Sequence, residues 1–326
     1  MKDIYLKIDQ KIRDANNIAI ITHRNPDGDT IGSASALRNT IKINFNKKNI
    51  SIVNADWIPE ALKYLDNISD TICELDVKLY DLYIFLDVAS LKLTSFIDEN
   101  NFQLKNTINI DHHISNNWYW DVSLIDIKKP STTAVLYDFF VSMKYEINKD
   151  IATALLTGIY TDTGSLIFDN TNAETFNVVA ELVLSGWDVR IIADNIFLNS
   201  SVNFIKLLWL TLDRLVIKDN FWFSYLTKVD IENSWCDYEE MVWIVWRLNT
   251  LDEVDYTCFI YEKWNWVKGS LRTNKEDMDL TLIAKKHWWW WHKKASAFIY
   301  NNSAIEINEN WNVFVKTADN NLIQFV

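Results

Sequence analysis

The first half of the chain alternates between buried strands and amphipathic segments. Each predicted strand is a continuous apolar run that ends in an acidic or histidine-containing cluster, and a helical pattern begins at about Thr30. Alternation of this kind is typical of a parallel α/β sheet, and ligands bind such sheets at the C-terminal ends of the strands. The predicted strands are 16–22, 80–88 and 106–111, and the amphipathic segments lie around 59–66 and 131–143.

The second half changes from a helical pattern to a strand pattern. The segment from about 149 to 215 is mostly helical, and short apolar strands resume at Phe221. The predicted strands are 221–228, 253–262 and 266–272, and helical stretches lie near 238–248 and 278–287. We therefore predict an N-terminal domain over 1–190, a helical linker over 191–215 and a smaller α/β domain over 216–326.

The composition is that of an ordinary globular protein, with 326 residues, 49% apolar and 23% charged. No apolar run reaches the roughly 18 residues of a membrane-spanning helix, and the charged N-terminus has no apolar signal-peptide core. We expect a cytoplasmic protein whose scattered cysteines are reduced. The net charge of −12 disfavours coating of long nucleic acid, so a nucleic-acid substrate is expected to be short or bound locally.

The first chemical cluster is HRNPDGD at 23–29. It places one imidazole, His23, and two carboxylates, Asp27 and Asp29, directly after a predicted buried strand. Imidazole and carboxylate ligands together suit Mn²⁺, Mg²⁺, Fe or Co. An Asx-rich turn that caps a helix would use the same residue types, so this cluster alone leaves both interpretations open.

Three further polar clusters follow predicted elements. Asp87 closes the strand YDLYIFLDV, the triplet DHH at 111–113 closes NTINI, and TDTG at 161–164 follows a helical segment. A lone Asp after a strand is also a common helix cap, and TDTG also suits a helix that stops at glycine. Two adjacent histidines after an aspartate are harder to explain by packing, so the triplet favours chemistry.

Six of these side chains could together hold two divalent ions. A carboxylate shared between ions about 3.5–4 Å apart is the arrangement of two-metal phosphoryl-transfer hydrolases, in which the ions turn water into hydroxide and neutralise phosphate charge. The six side chains are His23, Asp27, Asp29, Asp87, His112 and Asp162.

The ordered set of motifs resembles the DHH phosphoesterases. HRNPDGD, Asp87, DHH and TDTG occur in order, and GSLRT at 269–273 and HKKASAF at 292–298 resemble the companion DHHA1 domain. The resemblance covers nearly the whole chain and is closest to the bifunctional oligoribonuclease / phosphoadenosine phosphate phosphatase type. It implies a parallel-sheet DHH domain joined by a helical linker to a smaller α/β DHHA1 domain.

The resemblance also implies roles for the residues of the first domain. One metal ion would bind His23 and Asp27, and a second would bind Asp29 and His112. Asp87 would bridge the two ions and Asp162 would complete the ligand set. The expected ions are two Mn²⁺, with Mg²⁺ or Co²⁺ as alternatives. His113 would lie beside the substrate phosphate as a proton donor or an electrostatic clamp, and Asp111 would orient its neighbours.

The second domain is expected to bind the substrate. The resemblance implies that Arg272 and His292 hold the phosphate and the nucleotide, with Ser270 beside them, and arginine suits bidentate phosphate contacts. Lys293 and its neighbour Lys294 would add local positive charge to an acidic protein. A basic pair is equally typical of a solvated surface, so the role of these lysines stays open.

The chain has 16 tryptophans and only six glycines. An average chain of this length has about 23 glycines, and the 16 tryptophans and six glycines here make 22. The surplus of tryptophan therefore nearly matches the deficit of glycine. The family has a glycine-rich loop before His292, where backbone N–H groups can approach a phosphate, and four tryptophans stand there: Trp288, Trp289, Trp290 and Trp291.

Three interpretations of these tryptophans compete. They form a platform that stacks nucleobases, they mark an inactive domain, or they are UGA codons that the source organism reads as glycine. We favour the third interpretation, because other tryptophans also fall where a turn or a helix end needs glycine: Trp118, Trp120, Trp187, Trp264 and Trp266.

The sequence therefore predicts a metal-dependent phosphohydrolase that degrades short oligoribonucleotides to mononucleotides, with removal of the 3′ phosphate of phosphoadenosine phosphate as a second activity. A cyclic or linear dinucleotide phosphodiesterase is the alternative within the family. A noncatalytic nucleotide-binding module is the alternative if the tryptophans are genuine. The expected partner is a short oligoribonucleotide or nucleotide, without membrane or long-duplex binding, and a homodimer is compatible with the sequence.

Overall fold

A computed structural model divides the chain into two compact units, Met1–Asn199 and Ser200–Val326. No described helix combines the length and the apolar character needed to cross a membrane. Several predicted residues lie outside the described part of the chain, namely Trp118, Trp187, Trp288, Trp289, Trp290, Trp291 and His292. The structure describes residues 1–45, 47–96, 104–116, 120–186, 189–198, 200–236, 240–250, 253–285 and 293–325.

The first unit is built on a five-stranded sheet in the order β2-β1-β3-β4-β5, and every pairing in it is parallel. This confirms the predicted α/β class with a parallel N-terminal sheet. The sequence predicted β1, β3 and β4 but not the two edge strands. The strands are β1 Asn17–Thr22, β2 Asn49–Val53, β3 Leu82–Leu86, β4 Thr107–Asp111 and β5 Val122–Ile125.

Six α-helices of the described chain accompany this sheet. The predicted amphipathic segment 59–66 forms only a 3-10 turn, Glu60–Leu62, with Leu62 and Leu65 buried. A π-helical turn, Ala193–Phe197, follows the last helix. The α-helices are α1 Lys2–Asp14, α2 Gly28–Asn44, α3 Thr132–Met143, α4 Lys149–Asp162, α5 Ala173–Leu184 and α6 Val189–Ile192.

Helices α2 and α4 pack closely, and glycine makes this approach feasible. A Cβ atom built on Gly32 would lie 2.5 Å from the carbonyl oxygen of Ala154, which is closer than real Cβ atoms come. The N-termini of α2 and α3 are capped by the side chains of Asp27 and Ser131. The close approach brings the first turn of α2 beside the end of α4, and both places carry predicted site residues.

The second unit contains a mixed five-stranded sheet and a small three-stranded antiparallel sheet. The order of the larger sheet is β10-β9-β8-β7-β6, in which only β7 and β8 pair in parallel, and the smaller sheet is β11-β12-β13. The strands are β6 Val216–Lys218, β7 Phe221–Leu226, β8 Tyr256–Lys263, β9 Trp266–Arg272, β10 Ala295–Asn301, β11 Ala304–Ile307, β12 Val313–Lys316 and β13 Leu322–Gln324. The helices are α7 Val202–Asp213, α8 Lys228–Ser234, α9 Glu240–Leu248 and α10 Thr281–Lys285.

Three tryptophans of the second unit adopt backbone conformations that favour glycine. Trp235 ends α8 with φ +58°, Trp264 lies in the two-residue loop between β8 and β9 with φ +53°, and Trp311 has φ +63°. All three side chains are largely exposed, at 87%, 70% and 79%. Glycine is the residue that adopts a left-handed conformation without steric cost, so the turns themselves favour glycine at these positions.

Other tryptophans are packed as side chains of the core. Trp222 of β7 is fully buried among apolar residues of the second unit. Trp120 is buried in the first unit with its ring 4.2 Å from that of Phe85, although the sequence placed it in a glycine loop. Trp266 is the first residue of β9. Some described tryptophans therefore occupy glycine-like positions and others core positions, whereas Trp57 and Trp209 are exposed without a left-handed backbone.

Candidate metal centre

The ends of three neighbouring parallel strands place the central site residues. His23 follows the end of β1, Asp87 follows β3, and His112 follows β4. Because the carboxyl ends of parallel strands meet at one edge of the sheet, the three side chains converge. Asp87 is 3% exposed and adopts a left-handed backbone with φ +59°, a strained conformation for a residue with a side chain.

The first turn of α2 adds two carboxylates and a hydroxyl to this edge. Asp27 caps the helix and accepts a hydrogen bond of 3.0 Å from the backbone N–H of Thr30. The hydroxyl of Thr30 lies 2.9 Å from Asp27 Oδ1 and 2.8 Å from Asp87 Oδ2, and it also contacts His23 Nε2. Thr30, which the sequence analysis did not single out, therefore links the strand ends to the helix.

Among the described residues, three groups of side chains have ligand atoms within 4.8 Å of one another and could each hold a metal ion. Two of them contain the six predicted ligands: one consists of His23, Asp27 and Asp87, and the other of Asp29, His112 and Asp162. The third consists of Asp87 and the DHH triplet at 111–113. Asp87 faces both trios, because its Oδ2 lies 3.2 Å from His23 Nε2 and its Oδ1 lies 3.8 Å from His112 Nε2. The structure thus brings the six predicted ligands together, with one carboxylate between two trios.

The histidines are oriented as metal ligands. His23 Nδ1 lies 2.8 Å from the carbonyl oxygen of Arg24, and His112 Nδ1 lies 3.4 Å from that of Lys129. A carbonyl beside Nδ1 holds a proton there and leaves the lone pair of Nε2 for an ion. His112 Nε2 is buried and makes no hydrogen bond of proper geometry with the described residues, although Asp162 Oδ2 is 3.2 Å away. This unsatisfied nitrogen fits a cation between the two side chains.

The electrostatics of the cluster also favour bound positive charge. Burial lowers the pKa of His23, but its hydrogen bond to Asp87 and the charges of Asp27 and Asp87 outweigh burial and raise the pKa to about 10. Burial and the neighbouring carboxylates raise the pKa of Asp162 to about 6 against the opposing effect of His112. The pKa of Asp29 is also raised, first by burial. A divalent cation would relieve this repulsion between buried carboxylates.

The N-terminus of α3 holds the carboxylate of Asp29. The backbone N–H groups of Thr132 and Thr133 donate to Asp29 Oδ2 at 2.6 Å and to Oδ1 at 2.9 Å, and the hydroxyl of Thr133 donates to Oδ1 at 2.8 Å. A Cβ atom on Gly158 of α4 would lie 2.4 Å from Asp29 Oδ1, so glycine is required there. The sequence analysis missed these residues. The cap signal of Ser131 before an apolar helix could have located the helix end, but not its partner.

Asp111 belongs to neither trio and instead orients the two histidines that follow it. Its Oδ1 accepts from the backbone N–H groups of His112 and His113 at 2.7 and 3.2 Å, and lies 2.7 Å from His113 Nδ1. Its Oδ2 accepts from Asn116 at 2.6 Å. These bonds fix the side chain of His113, whose Nδ1 is also 3.5 Å from Asp87 Oδ1. Burial opposes a charged His113, but the bond to Asp111 and the charge of Asp87 raise its pKa.

The residues expected to bind substrate lie in the second unit. Ser270 and Arg272 are on β9, with Ser270 buried and Arg272 half-buried. Lys293 has an exposed side chain, and its carbonyl oxygen accepts a hydrogen bond of 2.8 Å from Leu280. His292 lies outside the described residues, so its predicted role stays a prediction.

Comparison with known protein families decides what the N-terminal cluster belongs to. The family described as "DHH family, N-terminal domain" matches residues 17–159, a range that contains five of the six predicted metal ligands. Residues 17–159 thus resemble the N-terminal domain of the DHH family, and we call this range the DHH domain. The DHH domain ends three residues before Asp162, the sixth predicted ligand, at the C-terminal end of α4.

Two curated relatives are similar to this chain over about half of its length. The probable bifunctional oligoribonuclease and PAP phosphatase NrnA of Streptococcus mutans is 29% identical over 191 residues, which cover 56% of this chain and 57% of that protein. The bifunctional oligoribonuclease and PAP phosphatase NrnA of Thermus thermophilus is 33% identical over 180 residues, 53% of this chain and 51% of that protein. The alignments thus span about half the length of these relatives.

One solved structure shares the fold over most of the chain. The exopolyphosphatase-related protein from Bacteroides fragilis matches with a TM-score of 0.83 at 23% identity, and the match covers 91% of each chain. At this identity the match speaks for the fold. It extends beyond the DHH domain into the second unit.

Proposed function

We propose that this chain is a metal-dependent phosphoesterase that hydrolyses short oligoribonucleotides to mononucleotides and also removes the 3′ phosphate of phosphoadenosine phosphate. The observation that carries the proposal is the pair of ligand trios that share Asp87. Two ions that share a carboxylate are the arrangement used to hydrolyse phosphate esters. The names of the two relatives, both oligoribonucleases and PAP phosphatases, support the same substrate class.

The donor set fits two Mn²⁺ ions, with Mg²⁺ or Co²⁺ as alternatives, because it consists of carboxylate oxygens and imidazole nitrogens without a thiolate. His23 and Asp27 would hold one ion, Asp29, His112 and Asp162 the other, and Asp87 both. When bound, the ions supply positive charge that lowers the pKa of water and neutralises the phosphate. The backbone N–H groups of α3 hold the carboxylate of Asp29 in place for this task.

His113 is the residue that we assign to the substrate phosphate. Asp111 holds Nδ1 of the imidazole, and its hydrogen bond raises the pKa of His113, which favours the protonated form. In that form Nε2 also carries a proton. A proton at that atom can stabilise negative charge on a phosphate oxygen or be donated to the leaving oxygen. Asp111 acts through His113 and is a positioning residue.

The remaining assignments concern substrate and location. We propose that the second unit is a DHHA1 domain, with Ser270, Arg272, His292 and Lys293 as substrate-binding residues. The net charge of −12 favours a short substrate over a long duplex. We also propose that the enzyme is cytoplasmic. A homodimer is compatible with its sequence.

The experiment that tests the function is release of mononucleotides from a short oligoribonucleotide with and without Mn²⁺. We expect release that requires the ion and that is lost when a chelator is added. A folded chain that binds Mn²⁺ but releases no mononucleotide would contradict the proposal. A parallel panel of a linear dinucleotide, a cyclic dinucleotide, phosphoadenosine phosphate and pyrophosphate separates this activity from the dinucleotide phosphodiesterase alternative.

A further inference from the structure

Strand β9 of the second unit carries two cations and a serine on one face. Lys268, Ser270 and Arg272 alternate along β9, so their side chains leave the same face of the sheet. On the neighbouring strand β10, the small, half-buried Ala297 and Ala295 lie opposite Ser270 and Arg272. On the other neighbour, β8, Phe259 lies opposite Ser270 and Tyr261 opposite Lys268, so the small residues beside the cations are on the β10 side.

Neither cation has an acidic partner. Among the residues that the structure describes, no carboxylate lies within ion-pair distance of Lys268 or Arg272, and no hydrogen bond is made by the Lys268 ammonium group. Arg272 makes a single side-chain hydrogen bond, from Nη1 to the carbonyl oxygen of Leu271 at 2.9 Å. Its other guanidinium donors remain available.

The two cations that the described chain buries most, Arg38 at 5% exposure and Lys129 at 8%, are compensated by carboxylates. Arg38 contacts Asp70, and Lys129 lies 2.5 Å from Asp138 and 2.6 Å from Glu174. Burying a charge without a partner is costly, and removing one member of a buried pair leaves the other at a large penalty. The half-buried Lys268 and Arg272 have no such carboxylate among the described residues, which indicates a role other than stability.

The positive charges of Lys268 and Arg272 also repel each other. Burial, followed by the charges of Arg272 and Lys263, lowers the pKa of Lys268 to about 8. Burial lowers the pKa of Arg272 to about 10 against the opposing effect of Tyr261. The two residues are four apart along the strand, about 13 Å, a distance that long side chains can shorten from both ends. An anion bound between them would remove both the repulsion and the desolvation cost.

We propose that Lys268 and Arg272 form a phosphate-binding pair, in which Lys268 is a binding residue for a terminal phosphate group of a short nucleotide. The proposal rests on the proposed function for the nature of the ligand. Ser270, buried between the two cations, adds a hydroxyl that can donate to the same phosphate. Arg272 offers its planar fork of donors and Lys268 a point charge, a combination suited to a doubly charged phosphomonoester.

The test uses the full chain and three variants: Lys268→Met, Lys268→Arg and, as a matched control, Lys218→Met at an exposed lysine of β6. The probes are diadenylate with a 5′ phosphate and diadenylate without one. We measure KM and kcat with Mn²⁺, equilibrium binding without metal, and the temperature of unfolding. The control is expected to match the unchanged chain in all three.

Lys268→Met should raise KM for the 5′-phosphorylated probe about tenfold with kcat within about twofold, since a charged hydrogen bond to the phosphate is lost. Its preference for the phosphorylated probe should shrink, and Lys268→Arg should restore it. Its unfolding temperature should rise, because an uncompensated charge has been removed. A lysine needed only for structure would instead lower that temperature and leave the preference intact.

The outcomes separate the two proposals. Unchanged affinity and preference in Lys268→Met would overturn the phosphate-binding pair, whatever the activity. If the unchanged chain hydrolyses neither probe, the proposed function fails, and the metal-free binding measurement still decides the pair. Weaker binding of the phosphorylated probe by Lys268→Met, together with recovery in Lys268→Arg, would support it.

Discussion

The DHH domain and the sheet of the second unit handle buried charge differently. In the DHH domain, carboxylates and imidazoles alternate within hydrogen-bonding distance, and each histidine of the cluster faces an aspartate. On β9 of the second unit, Lys268 and Arg272 face no carboxylate of the described chain. Buried carboxylates that repel one another beside imidazoles indicate a centre that binds small cations between its own ligands. Unmatched charges of one sign indicate a surface that is completed by a ligand of the other sign.

The two units also differ in the residues at their tight positions. Five of the six glycines lie in the first unit, and among them Gly158 leaves room for the carboxylate of Asp29. Only four of the 16 tryptophans lie there, Trp57, Trp118, Trp120 and Trp187. The second unit has Gly269 alone and carries tryptophan at left-handed turns. The metal centre therefore has glycine where a side chain would clash, whereas left-handed turns of the second unit hold tryptophan, which disfavours that conformation.

We expect the largest effect when the carboxylate shared by the two trios of the first unit is removed. Asp87→Asn keeps the shape of the side chain and removes the charge that faces both trios. We expect Mn²⁺-dependent hydrolysis to fall about 10³-fold or more, as the loss of several kcal/mol of charge stabilisation implies. Bound Mn²⁺, measured by metal analysis, should fall in parallel. Glu309→Gln, at an exposed position of the second unit, is the control, and near-normal turnover in Asp87→Asn would refute the shared-ligand assignment.

The next prediction concerns the two classes of tryptophan in the second unit. Trp222→Gly should lower the free energy of unfolding by about 3–5 kcal/mol, because a fully buried indole leaves a cavity. Trp264→Gly should raise it by about 1 kcal/mol, because a left-handed residue with a side chain is replaced by glycine in an exposed hairpin loop. Denaturant unfolding of the full chain measures both changes, and equal destabilisation by both would erase the distinction between the classes.

The same distinction predicts the codons of the gene. We expect UGA at Trp235, Trp264 and Trp311, whose backbones favour glycine, and UGG at Trp222, whose side chain fills the core. Sequencing the gene decides this directly. UGG at all three left-handed positions would show that these tryptophans are genuine and would return weight to a stacking surface or an inactive domain.

Sequence reasoning reached the parts of the molecule whose signal is local. The strands β1, β3 and β4 are continuous apolar runs, and the ligands that follow them stand in short motifs, so both could be predicted. The edge strands β2 and β5 are short and interrupted by polar residues, and they have no comparable signal. The contact from Thr132 to Asp29 joins residues 103 apart, and the lack of a partner at Lys268 is a property of the folded sheet. Neither feature can be recognised from the residues that are near it in the sequence.

A smaller effect tests how far the metal centre depends on residues that bind no metal. Thr133→Val removes the hydroxyl that donates to Asp29 Oδ1 but keeps the backbone N–H of the same residue. We expect Mn²⁺ affinity, measured by calorimetry, to fall about 10–100-fold, the usual cost of losing a hydrogen bond that orients a ligand. Thr133→Ser keeps the hydroxyl and should recover most of the affinity. Equal Mn²⁺ affinity in Thr133→Val and the unchanged chain would show that the metal centre does not depend on this hydroxyl.

The smallest effect compares a matched charge pair with the unmatched pair inside the second unit. Arg214 and Asp230 form two hydrogen bonds of 2.5 and 2.9 Å. Burial alone would raise the pKa of Asp230, but the bonds from Arg214 and Thr227 outweigh it and lower the pKa. A carboxyl with a lowered folded-state pKa stabilises the protein above its unfolded pKa of about 4, and this contribution is lost as the pH falls through the folded value.

Asp230→Asn should therefore cost about 1–2 kcal/mol at pH 7 and reduce the loss of stability on acidification below about pH 4. Asp319→Asn, at an exposed site, is the control. The sign is opposite to that expected for Lys268→Met, because one change breaks a compensated pair and the other removes an uncompensated charge. Denaturant unfolding at pH 7 and at pH 3 measures both signs, and destabilisation by both variants would mean that Lys268 is compensated within the protein and not by a ligand.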